Sequence, residues 1–300
     1  MNFTLSEITH FALLSGVPEA FFGFIFEEWR YHGITKLGFC GAILDQALKD
    51  HEFAEKLFAR AEKHGVRFSD AHVPWTKEWA LNTPDEYRAE MLKNVQSALE
   101  ICGEAGCTTM VIHIGDNICL NDDWDVIGPK GRDWLDDSLE KLLPIAEKNK
   151  VILCIENIMA PADQPDELIR CFQKFPSSYF GYCYDSGHAN VMEYFPGKDP
   201  SGLHPWIKDS LWRGKPQFYR GNALKELLPY IVTCHLHDND RYADQHLPPG
   251  QGKINWQEVL ALLKQAPNLK TIQNESSLLH GDGMPLETML KHFENAGFSR

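Results

Sequence analysis

Between Ile231 and Gly252 the chain reads Ile-Val-Thr-Cys-His-Leu-His-Asp-Asn-Asp-Arg-Tyr-Ala-Asp-Gln-His-Leu-Pro-Pro-Gly-Gln-Gly. An apolar run with strand character ends there in His235, His237 and Asp238, where a buried strand would ordinarily stay apolar or stop at a turn residue. Residues two apart on an extended chain point the same way, so His235 and His237 share a face. Asp244 and His246 follow within ten residues. Imidazole and carboxylate donors at this density are the ligand types of a divalent metal ion. A single histidine is ordinarily just solvated or satisfied, so the metal reading requires other elements to deliver ligands to the same place.

Strand character is predicted over Thr9–Ser15, Ile34–Cys40, Val66–His72, Thr108–Ile114, Val151–Ile155, Tyr179–Tyr184, the run from Ile231, and Lys270–Asn274. Helical periodicity is predicted over Pro18–Tyr31, Phe53–His64, Asp85–Cys102, Trp134–Lys148, Pro165–Phe175, Trp256–Gln265 and Leu286–Asn295. This alternation has no glycine-rich phosphate turn after its first strand, which favours a (β/α)8 TIM barrel, a single domain over residues 1–300, above an open doubly wound sheet. In a barrel all strand carboxyl ends meet on one face, where this fold places its active sites. Six strands end in ligand types: His72, His113, Glu156, Asp185, the His235/His237 pair and Glu275. Cys154, Gly181, Cys183, Thr233, Thr271 and Gln273 share faces with those ends, so small or polar residues are expected in the lumen beneath them.

Three hundred residues with 43% hydrophobic and 24% charged content suit one large domain of this kind. The net charge of −13 makes a nucleic-acid partner unlikely, because association with a phosphate backbone is electrostatically opposed. The eight cysteines form no Cys-x-x-Cys pair and read as reduced, buried thiols. No signal-peptide pattern and no long apolar span is present, so no membrane association is expected and a cytoplasmic location is.

Five short motifs stand in order: Ile-Glu-Asn at 155–157, Asp-Ser-Gly-His at 185–188, His-Leu-His-Asp-Asn at 235–239, His-Leu-Pro-Pro-Gly-Gln-Gly at 246–252 and Asn-Glu-Ser at 274–276. With them the sequence resembles the xylose isomerase-like barrel superfamily over roughly residues 60 to 295. That group contains sugar and sugar-phosphate isomerases, keto-sugar 3-epimerases, inosose dehydratases and metal-dependent abasic-site endonucleases. The resemblance implies one divalent ion (Mn²⁺, Zn²⁺, Mg²⁺ or Co²⁺) held by Glu156, Asp185, His235 and Glu275, with His235 preferred to His237 as the ligand. It further implies Glu156 and Glu275 as the acid/base pair, with His188 orienting a substrate hydroxyl. Residues His72, His113, His237, Arg241 and His246 are then expected at the substrate.

The function so implied is isomerisation or epimerisation of a sugar or sugar phosphate, by moving a proton next to a carbonyl through an enediolate that the ion stabilises. An inosose-type polyol dehydratase would use the same groups. An abasic-site endonuclease with three zinc ions would take His72, His113, His188, Asp244 and His246 as additional ligands. Epimerase relatives often carry arginine where this chain has His246, and proline where it has Ser276. Residues 193–221, with five Lys/Arg against three Asp/Glu, are expected to form a lid over an anionic sugar or a contact within a homo-oligomer. Residues 115–133 are expected as a second long loop on the same face. His10, His32, His51, His64, His204, His280 and His292 read as surface or packing residues.

Overall fold

The structure is a computed structural model, described for residues 3–11, 14, 17–115, 124–215, 217–276 and 284–300. Eight parallel strands pair in chain order and close on themselves: β1 (Ile8–Phe11), β2 (Lys36–Cys40), β3 (Arg67–His72), β4 (Thr109–Ile112), β5 (Ile152–Glu156), β6 (Phe180–Asp185), β7 (Ile231–Leu236) and β8 (Thr271–Asn274). The helices around them are α1 (Phe22–Tyr31), α2 (Gly41–Lys49), α3 (His51–Lys63), α4 (Asp85–Ala105), α5 (Trp124–Asn149), α6 (Pro165–Lys174), α7 (Ser186–Met192), α8 (Ala223–Glu226), α9 (Trp256–Leu263) and α10 (Leu286–Ala296). The chain folds as a single (β/α)8 barrel. Helix α4 buries a stripe at helical spacing, with Met91, Val95, Ala98, Leu99 and Cys102. Seven cysteines are free thiols, and Cys119 lies outside the described residues.

Two irregularities decide which side chains enter the lumen. Leu37 pairs with Phe68 and Gly38 with Asp70, leaving Ser69 as the extra residue. Tyr182 pairs with Ile231 and Cys183 with Thr233, leaving Val232 as another. Each bulge inverts the alternation on either side of it. Phe68 therefore packs outward against Phe39 and Phe58, while Asp70 turns inward and accepts from Thr109 Oγ1 at 2.5 Å and Thr233 Oγ1 at 3.1 Å. Thr109 and Thr271 meet at 3.0 Å across the barrel. Part of the lumen floor is thus a hydrogen-bonded network of hydroxyls around a buried carboxyl, beside an apolar cluster of Val111, Ile152, Cys154, Cys183 and Val232.

Several boundaries differ from expectation. The first strand ends at Phe11, and residues 12, 13 and 15 lie outside the described ones. The expected loop over 115–133 is shorter, because α5 already runs from Trp124 despite Gly128 and Pro129; residues 116–123 lie outside the description. Helix α5 is tied to the start of α4, where Trp134 Nε1 donates to Asp85 Oδ1 at 2.7 Å, so tertiary contact overrides the local breakers. Among the histidines assigned to packing, His10 is fully buried against Trp29 and Phe293, and burial lowers its pKa to about 3. His280 lies outside the described residues.

The 193–221 segment is a folded cap. Met159, Val191, Leu203, Ile207, Leu211 and Trp212 make a small core of their own, around a π-helical turn at Trp206–Leu211. Trp212 is 1% exposed and its Nε1 donates to the Met159 carbonyl at 2.6 Å. Lys198, buried, donates to the carbonyls of Asn190, Val191 and Glu193 at 3.1, 2.5 and 2.8 Å, closing the carboxyl end of α7. Replacing Trp212 by alanine removes both the packing and the hydrogen bond. A loss of about 3–5 kcal/mol in denaturant unfolding is expected, with proteolysis first inside 193–221; an unchanged midpoint would contradict the assignment of this core.

Candidate metal centre

The strand ends converge. Glu156, at the end of β5, is 1% exposed, and its two oxygens are shared among imidazoles from three other strands. Oε2 lies 3.1 Å from His72 Nε2 and 3.1 Å from His113 Nε2, and Oε1 lies 3.1 Å from His235 Nδ1. His235 Nδ1 is also 3.2 Å from Glu275 Oε1. Ligand atoms of Glu156, Asp185, His235 and Glu275 all lie within 4.8 Å of one another, as do those of His72, Glu156 and His235. A further group within the same limit, His188, His237, Asp244 and His246, adjoins them.

The motifs position these groups by clamping one another. Asn157 Nδ2 donates to the Asp185 carbonyl at 3.0 Å, and its Oδ1 accepts from the Asp185 amide at 2.8 Å, which locks the β5 and β6 ends together. Asp185 caps α7, accepting from the His188 amide at 2.6 Å with Oδ1, while Oδ2 faces His237 Nε2 at 3.0 Å. Gly187 is required there, since a Cβ would stand 2.0 Å from the His237 ring. Asp238 and Leu247 exchange backbone hydrogen bonds at 2.7 and 2.8 Å, pinching off a loop that returns Asp244 and His246 to the barrel mouth. The Asp238 carboxylate accepts from the Gly250 amide, the Ile254 amide and Trp256 Nε1, holding the far side of that loop.

Three histidines share one orientation. His72, His188 and His246 donate Nδ1–H to the carbonyls of Val73, Asn157 and Glu275 at 2.6, 2.9 and 2.7 Å. Each thereby turns Nε2 toward a carboxylate, Glu156 for His72 and Asp244 for the other two at 3.4 and 3.2 Å. Metal-ligating histidines are held in this way, because the outer hydrogen bond fixes the tautomer and leaves the inner lone pair available. The Nδ1 atoms of His113 and His237 and Oδ1 of Asp244 are buried without a hydrogen-bond partner. The residues present therefore fit a divalent cation, and nitrogen with carboxylate oxygen suits Zn²⁺, Mn²⁺, Co²⁺ or Mg²⁺.

Arg241 is not brought to this group. Its φ of +80° turns the chain, and its guanidinium lies 4.1 Å over Phe195, with Nη2 reaching the Lys253 carbonyl. A cavity of about 330 Å³ opens above the cluster, walled by Trp75, Ile158, Met159 and Trp206 and floored by the histidines, Glu156, Asp244 and Glu275. Trp75, Ile158 and Met159 had escaped the sequence reading, whereas Trp206 lies in the 193–221 segment expected as a lid or an oligomer contact. Trp75 follows a ligand-type strand end by three residues, a signal that was present; Trp206 reaches the site only through the folded cap.

Electrostatics in the cluster are dominated by burial, opposed by opposite charge. Burial pushes Glu156 and Glu275 up, but His235 and the other imidazoles overcome it, holding Glu156 well below the usual carboxylate range and Glu275 at about 2. Burial likewise pulls the imidazoles down. Asp185 and Asp244 nevertheless raise His188 well above its ordinary value, Cys183, Glu275 and Glu156 do the same for His235, and Asp244 brings His246 to about 9. In the metal-free protein, protons on histidines supply the positive charge. His246 contributes stability that is fully present below pH 6.5 and lost as pH rises through about 9. Glu275 contributes stability present above pH 4.5 and lost as pH falls toward about 2. Chelator-treated protein should therefore be most stable between those limits and lose on the order of 1–3 kcal/mol toward alkaline pH. Adding a divalent ion should remove the alkaline loss in thermal melts, and a loss that persists with the ion would contradict the cluster as its site.

Comparison with known proteins agrees with this architecture. The uncharacterized protein MJ1311 of Methanocaldococcus jannaschii is 24% identical over 198 residues, covering 65% of this chain and 59% of that protein's own length. Among solved structures, a D-tagatose 3-epimerase-like protein superposes with a TM-score of 0.66 at 21% identity, over 90% of this chain and 89% of that one. A xylose isomerase-like TIM barrel protein from Mycobacterium smegmatis in complex with magnesium gives 0.68 at 14% identity, over 99% of both chains. At these identities the structural likeness is one of fold. Residues 32–272 match the family described as the xylose isomerase-like TIM barrel, and with its closed barrel the chain belongs to that family.

Proposed function

We propose that this protein is a divalent-metal-dependent isomerase or epimerase acting on a small sugar. The observation that carries this reading is the pair Glu156 and Glu275, whose carboxylates stand on either side of His235 Nδ1, at 3.1 and 3.2 Å, beneath a cavity of sugar size. Moving a proton next to a carbonyl needs a base that reaches the carbon and an acid that returns the proton elsewhere. Glu275 borders the cavity, and its side chain is 8% exposed against 1% for Glu156. It is the better-placed base, whereas the Glu156 oxygens are already shared by His72, His113 and His235. Asp185, His235 and the two glutamates would hold the ion, which when bound supplies the positive charge that polarises the substrate carbonyl. His188 borders the same cavity and orients a substrate hydroxyl. The fold neighbours named as an epimerase-like protein and as a magnesium complex support both the reaction class and the metal.

A second reading has its own observation. His72 and His113 converge on the far oxygen of Glu156, and His188, Asp244 and His246 form a further ligand group, as a three-ion phosphodiesterase of the abasic-site endonuclease class would require. The charge of −13 opposes it, because such an enzyme must hold a polyanion.

Glu275→Gln keeps the shape of the side chain and removes the base. Exchange of substrate C–H with deuterated solvent should fall by roughly 10²–10⁴-fold, in protein whose metal content is measured alongside because Glu275 is also a ligand, and with a lowered melting temperature because its charge faces His235; exchange at the parent rate would remove Glu275 from its role. Elemental mass spectrometry on protein purified without chelator or affinity metal should find about one divalent ion per chain, the count for a single four-ligand site. About three zinc ions, together with nicking of an abasic duplex, would replace the isomerase reading by the second.

A further inference from the structure

Trp75 and Trp206 come from distant parts of the chain, the loop after β3 and the π-helical turn of the cap. Their rings meet edge to face with centroids 5.6 Å apart, and Trp75 also stands edge-on to His113 at 6.0 Å. Together with Ile158 and Met159 they form the apolar part of the cavity lining. Trp75 is 56% exposed despite its size and lines the cavity.

The same wall carries no cation. None of the chain's 29 lysines and arginines borders the cavity among the described residues, and the segments outside the description contain neither residue type. Three of the five basic residues of the cap are seen engaged elsewhere. Lys198 is buried on three backbone carbonyls, Lys208 stands beside Asp209, and the guanidinium of Arg220 lies 4.7 Å over Tyr194. The histidines at the floor have Asp244 and Glu156 as their counter-charges. A phosphate on the far end of a sugar whose carbonyl lies at the ligand cluster would face indole, isoleucine and methionine, with no charge to replace its hydration.

We propose that Trp75 and Trp206 form a stacking wall for the C–H face of an uncharged sugar, so that the substrate is a free sugar and not a sugar phosphate. This rests on the isomerase or epimerase reading of the site and names its substrate class. It also changes the role expected for residues 193–221. The cap contributes an aromatic specificity residue, in place of a cationic lid for an anionic sugar.

The test is calorimetric binding of D-tagatose and of D-tagatose 6-phosphate to the metal-replete protein, with deuterium exchange read separately. The free sugar should bind at least about 10-fold more tightly than its phosphate. Trp75→Ala, at an exposed position, should weaken free-sugar binding about 5- to 10-fold without changing the metal content or the melting profile. Trp206→Phe, which keeps an aromatic ring in the cap, should weaken it less. Equal or tighter binding of the phosphate, no binding of either sugar at tens of millimolar, or an unaffected Trp75→Ala variant would overturn the inference. Phosphate preference accompanied by exchange leaves the isomerase reading standing. Free-sugar preference without exchange leaves the wall standing and removes the isomerase.

Discussion

Everything at the mouth of this barrel answers to one electrostatic constraint. Glu156, Asp185, Glu275 and Asp244 bring four carboxylates into a small volume, and the first three are almost inaccessible to water. Negative charge so concentrated is tolerated only with positive charge among it. Histidine is suited to this, because it can hold a proton when alone and surrender it to a cation when one arrives. The backbone carbonyls of Val73, Asn157 and Glu275 complete the arrangement by fixing three imidazoles with their inner nitrogens turned toward the carboxylates.

The rest of the structure serves that centre in layers. Below it, hydroxyls gathered around Asp70 form a polar network in the lumen beside the Val111, Ile152 and Val232 cluster. Around it, Asn157, Asp185 and Asp238 spend side-chain hydrogen bonds on backbone groups and so hold the strand ends and the returning loop. Above it, the cap carries its own apolar core, which lets Trp206 stand at a defined place over a charged floor. The result is a cavity lined both by histidines and carboxylates and by hydrocarbon.

Family membership fixes the scaffold and narrows the chemistry, but one barrel supports many reactions through its loops. This chain combines an extended ligand set with an aromatic wall that carries no lysine or arginine among the described residues. The ligand set alone is compatible with one ion or several. The wall bears on the substrate, and it favours a small neutral molecule over a polyanion.

The barrel itself was legible because its signals are local: apolar strands and amphipathic helices alternate, and each strand's period of two identifies its own face. The ligand types at six strand ends were legible for the same reason. Sequence patterning could not say which imidazole meets which carboxylate oxygen, because strand closure sets those distances, and the bulges at Ser69 and Val232 invert faces that strict alternation would assign otherwise. Arg241 shows the limit well. It sits six residues after His235 in a motif-rich loop, yet a positive φ sends it to Phe195 and away from the centre. Trp206 is the converse: its segment reads as a candidate lid, but which of its aromatics reaches the cavity is decided only by the folded cap. The residue types that could do chemistry are a property of the chain, whereas their meeting depends on contacts between segments far apart in sequence, which only the closed barrel brings within a few ångströms.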